Sequence, residues 1–119
     1  MTMRIAAVRT PPEEFLNWIP AALVLEHSEA VVAYWDQIPA GLLLFAVDGA
    51  IATIHLHYVE PELRNLGIGE QLLEEALTLA KRAGCVTCYG WVSPGDRIAK
   101  LTYEAQGFRS DQIRVTREL

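Results

Sequence analysis

Val59-Glu60-Pro61-Glu62-Leu63-Arg64-Asn65-Leu66-Gly67-Ile68-Gly69 is the stretch that decides how this chain is read. A run of strand-forming residues ends at Val59, a short loop follows, and a helical pattern opens beside two glycines two residues apart. The first N–H groups of a helix have no acceptor within it, and with the helix dipole they form a ready anion site. Gly67 and Gly69 lack a Cβ, so a ligand can come close to the main chain. Arg64 adds charge-assisted contacts. The arrangement suits a pyrophosphate. Two glycines alone also fit a plain tight connection between strand and helix, so the rest of the chain has to decide.

Working outward, residues 68–83 place Ile68, Leu72, Leu73, Ala76, Leu77 and Ala80 along one helical face, with Gly84 as the stop. Upstream, residues 50–59 form a strand joined through Asp48-Gly49 to a strand over 40–47, a pairing typical of a tight hairpin. Residues 30–35 form another strand, turned by Asp36-Gln37-Ile38-Pro39, and residues 3–8 the first. Between them, Thr10-Pro11-Pro12-Glu13 predicts a helix entry with Thr10 as cap and Glu13 closing a capping box; Pro20 interrupts that helix. Downstream come a strand over 85–92, a helix over 97–106 closed by Gly107, and one or two final strands over 108–119. This order predicts one α+β domain over residues 1–119, with helices on both faces of a mixed sheet.

The quoted stretch resembles motif A of the GNAT superfamily of acetyl-coenzyme A-dependent N-acetyltransferases. There a strand ending Val-x-Pro leads into Arg/Gln-x-x-Gly-x-Gly/Ala and a long helix; here stand Val59-x-Pro61, Arg64-x-x-Gly67-x-Gly69 and Leu72-Leu73. A second family pattern, Asn-x-x-Ala-x-x-Leu-Tyr-Glu-x-x-Gly-Phe, is matched by Asp96-x-x-Ala99-x-x-Thr102-Tyr103-Glu104-x-x-Gly107-Phe108. Asp96 and Thr102 depart from it, and neither departure touches the tyrosine. The resemblance covers residues 31–108. It implies a mostly antiparallel central sheet whose middle strands splay apart, at a bulge, to admit the pantetheine arm.

By the same resemblance the main-chain amides of Leu66, Gly67, Ile68, Gly69 and Glu70 hold the coenzyme pyrophosphate, after Asn65, with Arg64 beside the phosphates. Val59 N–H then faces the thioester oxygen as an oxyanion donor, and Tyr103 is the general acid for the departing sulfur. An acceptor alkylammonium has a pKa near 10.4 and must lose a proton before it attacks. His55 and His57 are the candidate bases, since alternation sets Thr53, His55, His57 and Val59 on one face unless a bulge intervenes. Water, or no dedicated base, is the alternative, and a polar side of a half-exposed strand is the plain reading of both histidines. For Tyr103 the plain reading is a buried ring with a bonded hydroxyl. Trp18 and Trp35 are read as packing, with Trp91 the exception to watch because it lies near the end of the strand flanking the cleft; His27 is read as a surface residue.

Composition limits the partners. The chain has 119 residues, 51% apolar and 21% charged, with net charge −5 and no block of like charge. A basic face for nucleic acid or anionic membrane is not expected. No apolar run reaches the roughly 18 residues of a membrane span, and no secretory signal is evident, so a cytoplasmic protein is the default. Cys85-x-x-Cys88 lies in a strand-like run that points its sulfurs apart, without a second pair or nearby histidine; reduced structural thiols and no metal are expected. The segment between the first two strands is short for the family and would leave the acceptor side open. The acceptor is then a primary amine of a small molecule, peptide or protein, with a homodimer partner as one way to wall the site. The other class of function is an inactive GNAT-like module that binds acyl-coenzyme A to regulate or scaffold.

Overall fold

The computed structural model describes residues 2–23 and 28–119, so His27 lies outside the described residues. Strand β1 (Met3–Val8) pairs antiparallel with β2 (Ser28–Trp35), and β2 with β3 (Ile38–Asp48). The turn between β2 and β3 is tighter than the four residues expected. Trp35 pairs with Ile38, which leaves Asp36 and Gln37 to turn at φ 49° and 71°. A second hairpin leads to β4 (Ile51–Val59). Here Asp48 is still in register with Ile51, so Gly49 and Ala50 make the turn, with positive φ at Gly49 alone. A hairpin with glycine first needs positive φ only there.

Helix α1 (Ile68–Arg82) runs one residue short of the predicted span. It buries Ile68, Leu72, Leu73, Ala76 and Ala80 against Val31, Leu43, Phe45, Ala52 and Ile54 of the sheet. The helix sits low on β3 because residue 41 is glycine. A Cβ there would stand 2.9 Å from Leu72 Cδ1 and 2.9 Å from the Tyr58 carbonyl oxygen, closer than packed atoms allow. Gly84, at φ 90°, ends α1, and Cys85 N–H bonds back to the Ala80 carbonyl. Strand β5 (Thr87–Tyr89) then joins β4 in parallel, giving sheet order β1-β2-β3-β4-β5. Helix α2 (Arg97–Ala105) follows, capped by the Asp96 carboxylate, which accepts from Ala99 N–H at 3.0 Å.

The opposite face of the sheet is covered by Phe15, fully buried among Ala30, Val32, Leu42 and Leu44. Truncating such a ring to alanine costs about 3–5 kcal/mol. Its element is a 3-10 helix over Glu13–Trp18 and not the capped α-helix expected from Thr10. Pro12 holds ψ at 153°, and a residue before proline is pushed out of helical space, so no helical turn can begin before Glu13. Pro20 then lacks the N–H that would continue it.

The final strands predicted over 108–119 do not form; residues 108–119 have no regular structure. Ile113 and Val115 alternate as strand residues do, yet both are 88% exposed. Alternation expresses a strand only where an edge offers hydrogen bonds and a face offers burial. Residues 108–119 pair with neither free edge of the sheet, at β1 or at β5.

Candidate active site

Beyond one point the two middle strands part. β4 and β5 pair only at Ile51 with Thr87, Ala52 with Cys88, and Thr53 with Tyr89. β5 ends there, five residues short of the predicted strand at its near end and far end together (two at 85–86, three at 90–92), while β4 continues to Val59. The cause is on the other side of β4. Leu44 is opposite Leu56 and Phe45 opposite Ile54, so His55 has no partner and forms a bulge. A bulge bends its strand and sharpens the twist, which carries the end of β4 away from β5.

The bulge also changes which residues face α1. Before it, Ala52 and Ile54 belong to the α1 side of the core. After it, His57 and Val59 take that side, while Leu56 packs toward Phe15 and Tyr58 toward Trp18, ring centroids 5.0 Å apart. Thr53, His55, His57 and Val59 therefore do not share one face. His57 and Val59 do; His55 stands apart on the exposed bulge.

His57 is tied at both ring nitrogens. Nε2 lies 2.9 Å from the Gly69 carbonyl oxygen and Nδ1 lies 3.0 Å from the Tyr103 hydroxyl. A carbonyl oxygen can only accept, so Nε2 carries the hydrogen. In the neutral ring Nδ1 is then the acceptor, and the Tyr103 hydroxyl donates to it. Burial pushes the His57 pKa below its ordinary 6.5, against smaller upward pulls from the Gly69 bond and the Glu70 carboxylate. Burial, with some help from Cys88, pushes the Tyr103 phenol up to about 12. The Tyr103 ring is 6% exposed and meets Phe108 and His57 edge to face, at 5.0 and 5.6 Å.

Gly90 makes room for that ring. A Cβ at position 90 would be 2.7 Å from Tyr103 Cε1. The sequence reading passed over Gly90, although an isolated glycine in a strand-like run, Tyr89-Gly90-Trp91, marks a close approach.

The parted strands and α2 enclose a cleft of about 210 Å³ lined by His55, His57, Trp91, Asp96 and Tyr103 among others. Trp91 is 70% exposed and contributes a ring to its wall. Further along β4, main-chain groups lie on its open edge. Glu60 N–H bonds to the Ala40 carbonyl on β3, and N–H directions alternate along a strand, so Val59 N–H points to the opposite, open edge. The Val59 carbonyl accepts from Arg64 Nε at 3.0 Å.

At the start of α1, Asn65 and Gly67 have φ 68° and 83°. Left-handed residues alternating with right-handed ones turn successive N–H groups into one concavity, a favourable anion site. Gln71 N–H bonds back to the Gly67 carbonyl, so the amides of Ile68, Gly69 and Glu70 precede the helical ladder. A larger hollow, about 380 Å³, lies at the other edge of the sheet by Arg4 and Tyr34. Several of its polar groups are already engaged: Thr2 N–H donates to Asp36, the Tyr34 hydroxyl to Glu14, and Arg4 stacks on the Tyr34 ring.

Cys85 and Cys88 are free thiols, and burial pushes Cys88 up to about 11. No cluster of metal-ligating side chains occurs among the described residues. No helix among them is long and apolar enough to cross a membrane.

Solved structures share this architecture. The aminoglycoside acetyltransferase AAC(6')-Iy, in complex with the bisubstrate analogue CoA-S-monomethyl-acetylneamine, superposes with TM-score 0.75 at 18% identity, covering 100% of this chain and 99% of that one. Glucosamine-6-phosphate N-acetyltransferase from Arabidopsis thaliana gives TM-score 0.76 at 16% identity, with 99% of each chain covered. Ribosomal-protein-alanine N-acetyltransferase from Brucella melitensis biovar Abortus 2308 gives 0.71 at 14%, again with 99% of each. No curated protein matches the chain. Residues 3–108 match the model of the Acetyltransferase (GNAT) family, and on that span the chain belongs to this family.

Proposed function

We propose that this protein transfers the acetyl group of acetyl-coenzyme A directly to a primary amine. One observation carries the reading. β4 at Ile54 to His57 and Tyr103 border one cleft, and His57 joins them to Gly69 at the mouth of α1. The residues fit the coenzyme: main-chain N–H groups of Leu66 to Glu70 take the pyrophosphate, and Gly67 leaves open space where a Cβ would stand. Arg64, held through Nε, keeps its terminal nitrogens for phosphate. The edge of β4 bonds the pantetheine amides as an added strand would. Val59 N–H receives the developing oxyanion. Tyr103 meets the departing sulfur. When bound, the coenzyme supplies an activated acyl carbon and a thiol leaving group.

The acceptor is a primary amine of a small molecule, peptide or protein, entering from the side that Glu13–Trp18 walls among the described residues. A homodimer would complete that wall, and the cytoplasm, where free thiols persist, is the compartment that suits the chain. The same thin wall favours a second reading, an acyl-coenzyme A-binding module that transfers nothing. Calorimetry with coenzyme A tests the site, and thiol release with neamine, glucosamine 6-phosphate and an N-terminal alanyl peptide tests transfer. Binding with turnover is expected. Tyr103→Phe is expected to lower turnover and leave coenzyme affinity nearly unchanged; equal loss of both would refute its role. Binding without turnover on a broader amine panel would select the module.

A further inference from the structure

A buried tyrosine alone is a poor acid for this step. The phenol at about 12 would have to protonate a thiolate whose reference pKa is about 8.5, uphill by roughly three powers of ten. It would also leave a phenolate against a neutral imidazole nitrogen. The structure supplies a way round. His57 reaches Tyr103 only because the His55 bulge turns it toward α1, and its Nε2–H is fixed by the Gly69 carbonyl. Its Nδ1 lone pair therefore faces the Tyr103 hydroxyl at 3.0 Å, and Tyr103 itself lines the cleft.

We propose that His57 is a positioning residue that stores the amine's proton behind Tyr103 and returns it to the leaving sulfur. The inference rests on the transferase reading above. As the neutral amine bonds to the acyl carbon, its nitrogen passes a proton to Tyr103 Oη, and the tyrosine proton moves to His57 Nδ1. When the carbon–sulfur bond breaks, sulfur takes the proton now on Oη and His57 returns its own. One proton leaves nitrogen, one arrives on sulfur, both side chains end as they began, and nothing is oxidised or reduced. Tyr103 stays a neutral phenol throughout.

The groups around His57 suit a short-lived cation. Gly69 and Glu70 of α1 favour it, Tyr103 comes from α2, Cys88 from β5 borders the tyrosine, and Leu43 lies opposite on β3. Burial keeps the ring neutral at rest, so it holds the borrowed proton weakly and gives it up to a thiolate readily.

The test uses the intact protein with acetyl-coenzyme A and neamine, glucosamine 6-phosphate or the alanyl peptide. The wild-type kcat should rise with pH along a limb whose midpoint is below 6.5. His57→Gln should abolish that limb and lower kcat about 100-fold while KM for acetyl-coenzyme A stays within about threefold. In a Tyr103→Phe background the same change should cost less than about twofold, because the two act as one unit. A limb retained in His57→Gln, or an undiminished 100-fold loss on top of Tyr103→Phe, would overturn the inference. Imidazole 15N shifts of the wild type stand whether or not the variants fold. They should report an Nε2–H ring at pH 7.5, and an Nδ1–H ring would overturn it. Failure of the wild type to bind coenzyme A would sink the transferase reading, whereas binding and turnover with these signs absent would sink this inference alone.

Discussion

Adding one methyl group at position 90 strikes the site from behind. The Cβ of Gly90→Ala would lie 2.7 Å from Tyr103 Cε1, 3.3 Å from Cζ and 3.4 Å from Cδ1, so it meets a whole edge of the ring. Restoring ordinary contact at Cε1 requires a retreat of about 0.7 Å. The ring has little room to retreat, with Phe108 and His57 against it at 5.0 and 5.6 Å. Overpacking of this kind costs about 1–3 kcal/mol. At this chain length each kcal/mol lowers Tm by roughly 4 °C, so a fall of about 4–12 °C is expected by calorimetry. The hydroxyl moves with Cζ, and a 3.0 Å bond has only about 0.5 Å of slack before it ceases to be one. Turnover should therefore fall at least about tenfold with coenzyme affinity unchanged. In a Tyr103→Phe background the stability cost should persist, since the ring remains, while turnover falls no further. A Gly90→Ala protein with wild-type Tm and wild-type turnover would refute the packing argument and with it the claim that position 90 sets the tyrosine.

Gly67→Ala acts through the backbone instead. Nothing lies within 4 Å of its Cβ, but φ of 83° costs a non-glycine residue about 1–2 kcal/mol; coenzyme A affinity by calorimetry should drop about fivefold or more. Native Tyr103 keeps its proton to about pH 12 against about 10 unfolded, so its contribution is fully present below pH 10 and is lost as pH rises toward 12. Urea titrations across that window should show a loss of up to about 2–3 kcal/mol that Tyr103→Phe removes. Asp96→Ala deletes the cap of α2 and should cost about 1 kcal/mol by the same measurement.

Local signals carried the sequence reading a long way. The span and buried face of α1 follow from apolar spacing over 68–80, and the glycine turn that opens it from Arg64-x-x-Gly67-x-Gly69, because both are properties of neighbouring residues. Pairing was harder to read. The bulge at His55 exists only relative to β3, and the contact of His57 with Tyr103 spans 46 residues, so neither leaves a mark on a single strand pattern. The same blindness made Ile113 and Val115 look like a strand, since their alternation says nothing about whether an edge awaits them. Thr10 was misjudged as a cap because two prolines override the capping preference.

The unmatched residue at position 55 makes the opening beside β4 a matter of count. Removing it would leave Leu56 opposite Leu44 and His57 opposite Leu43 in plain alternation, so the imidazole would keep its side while the bend is lost. β4 would then run on beside β5, and the gap between them would close. Substitutions along this stretch are graded injuries, whereas a one-codon deletion is all or none. Length drift in the lineage of such a domain is therefore tolerable in its hairpin tips and acceptor-side loops but barred from these few positions.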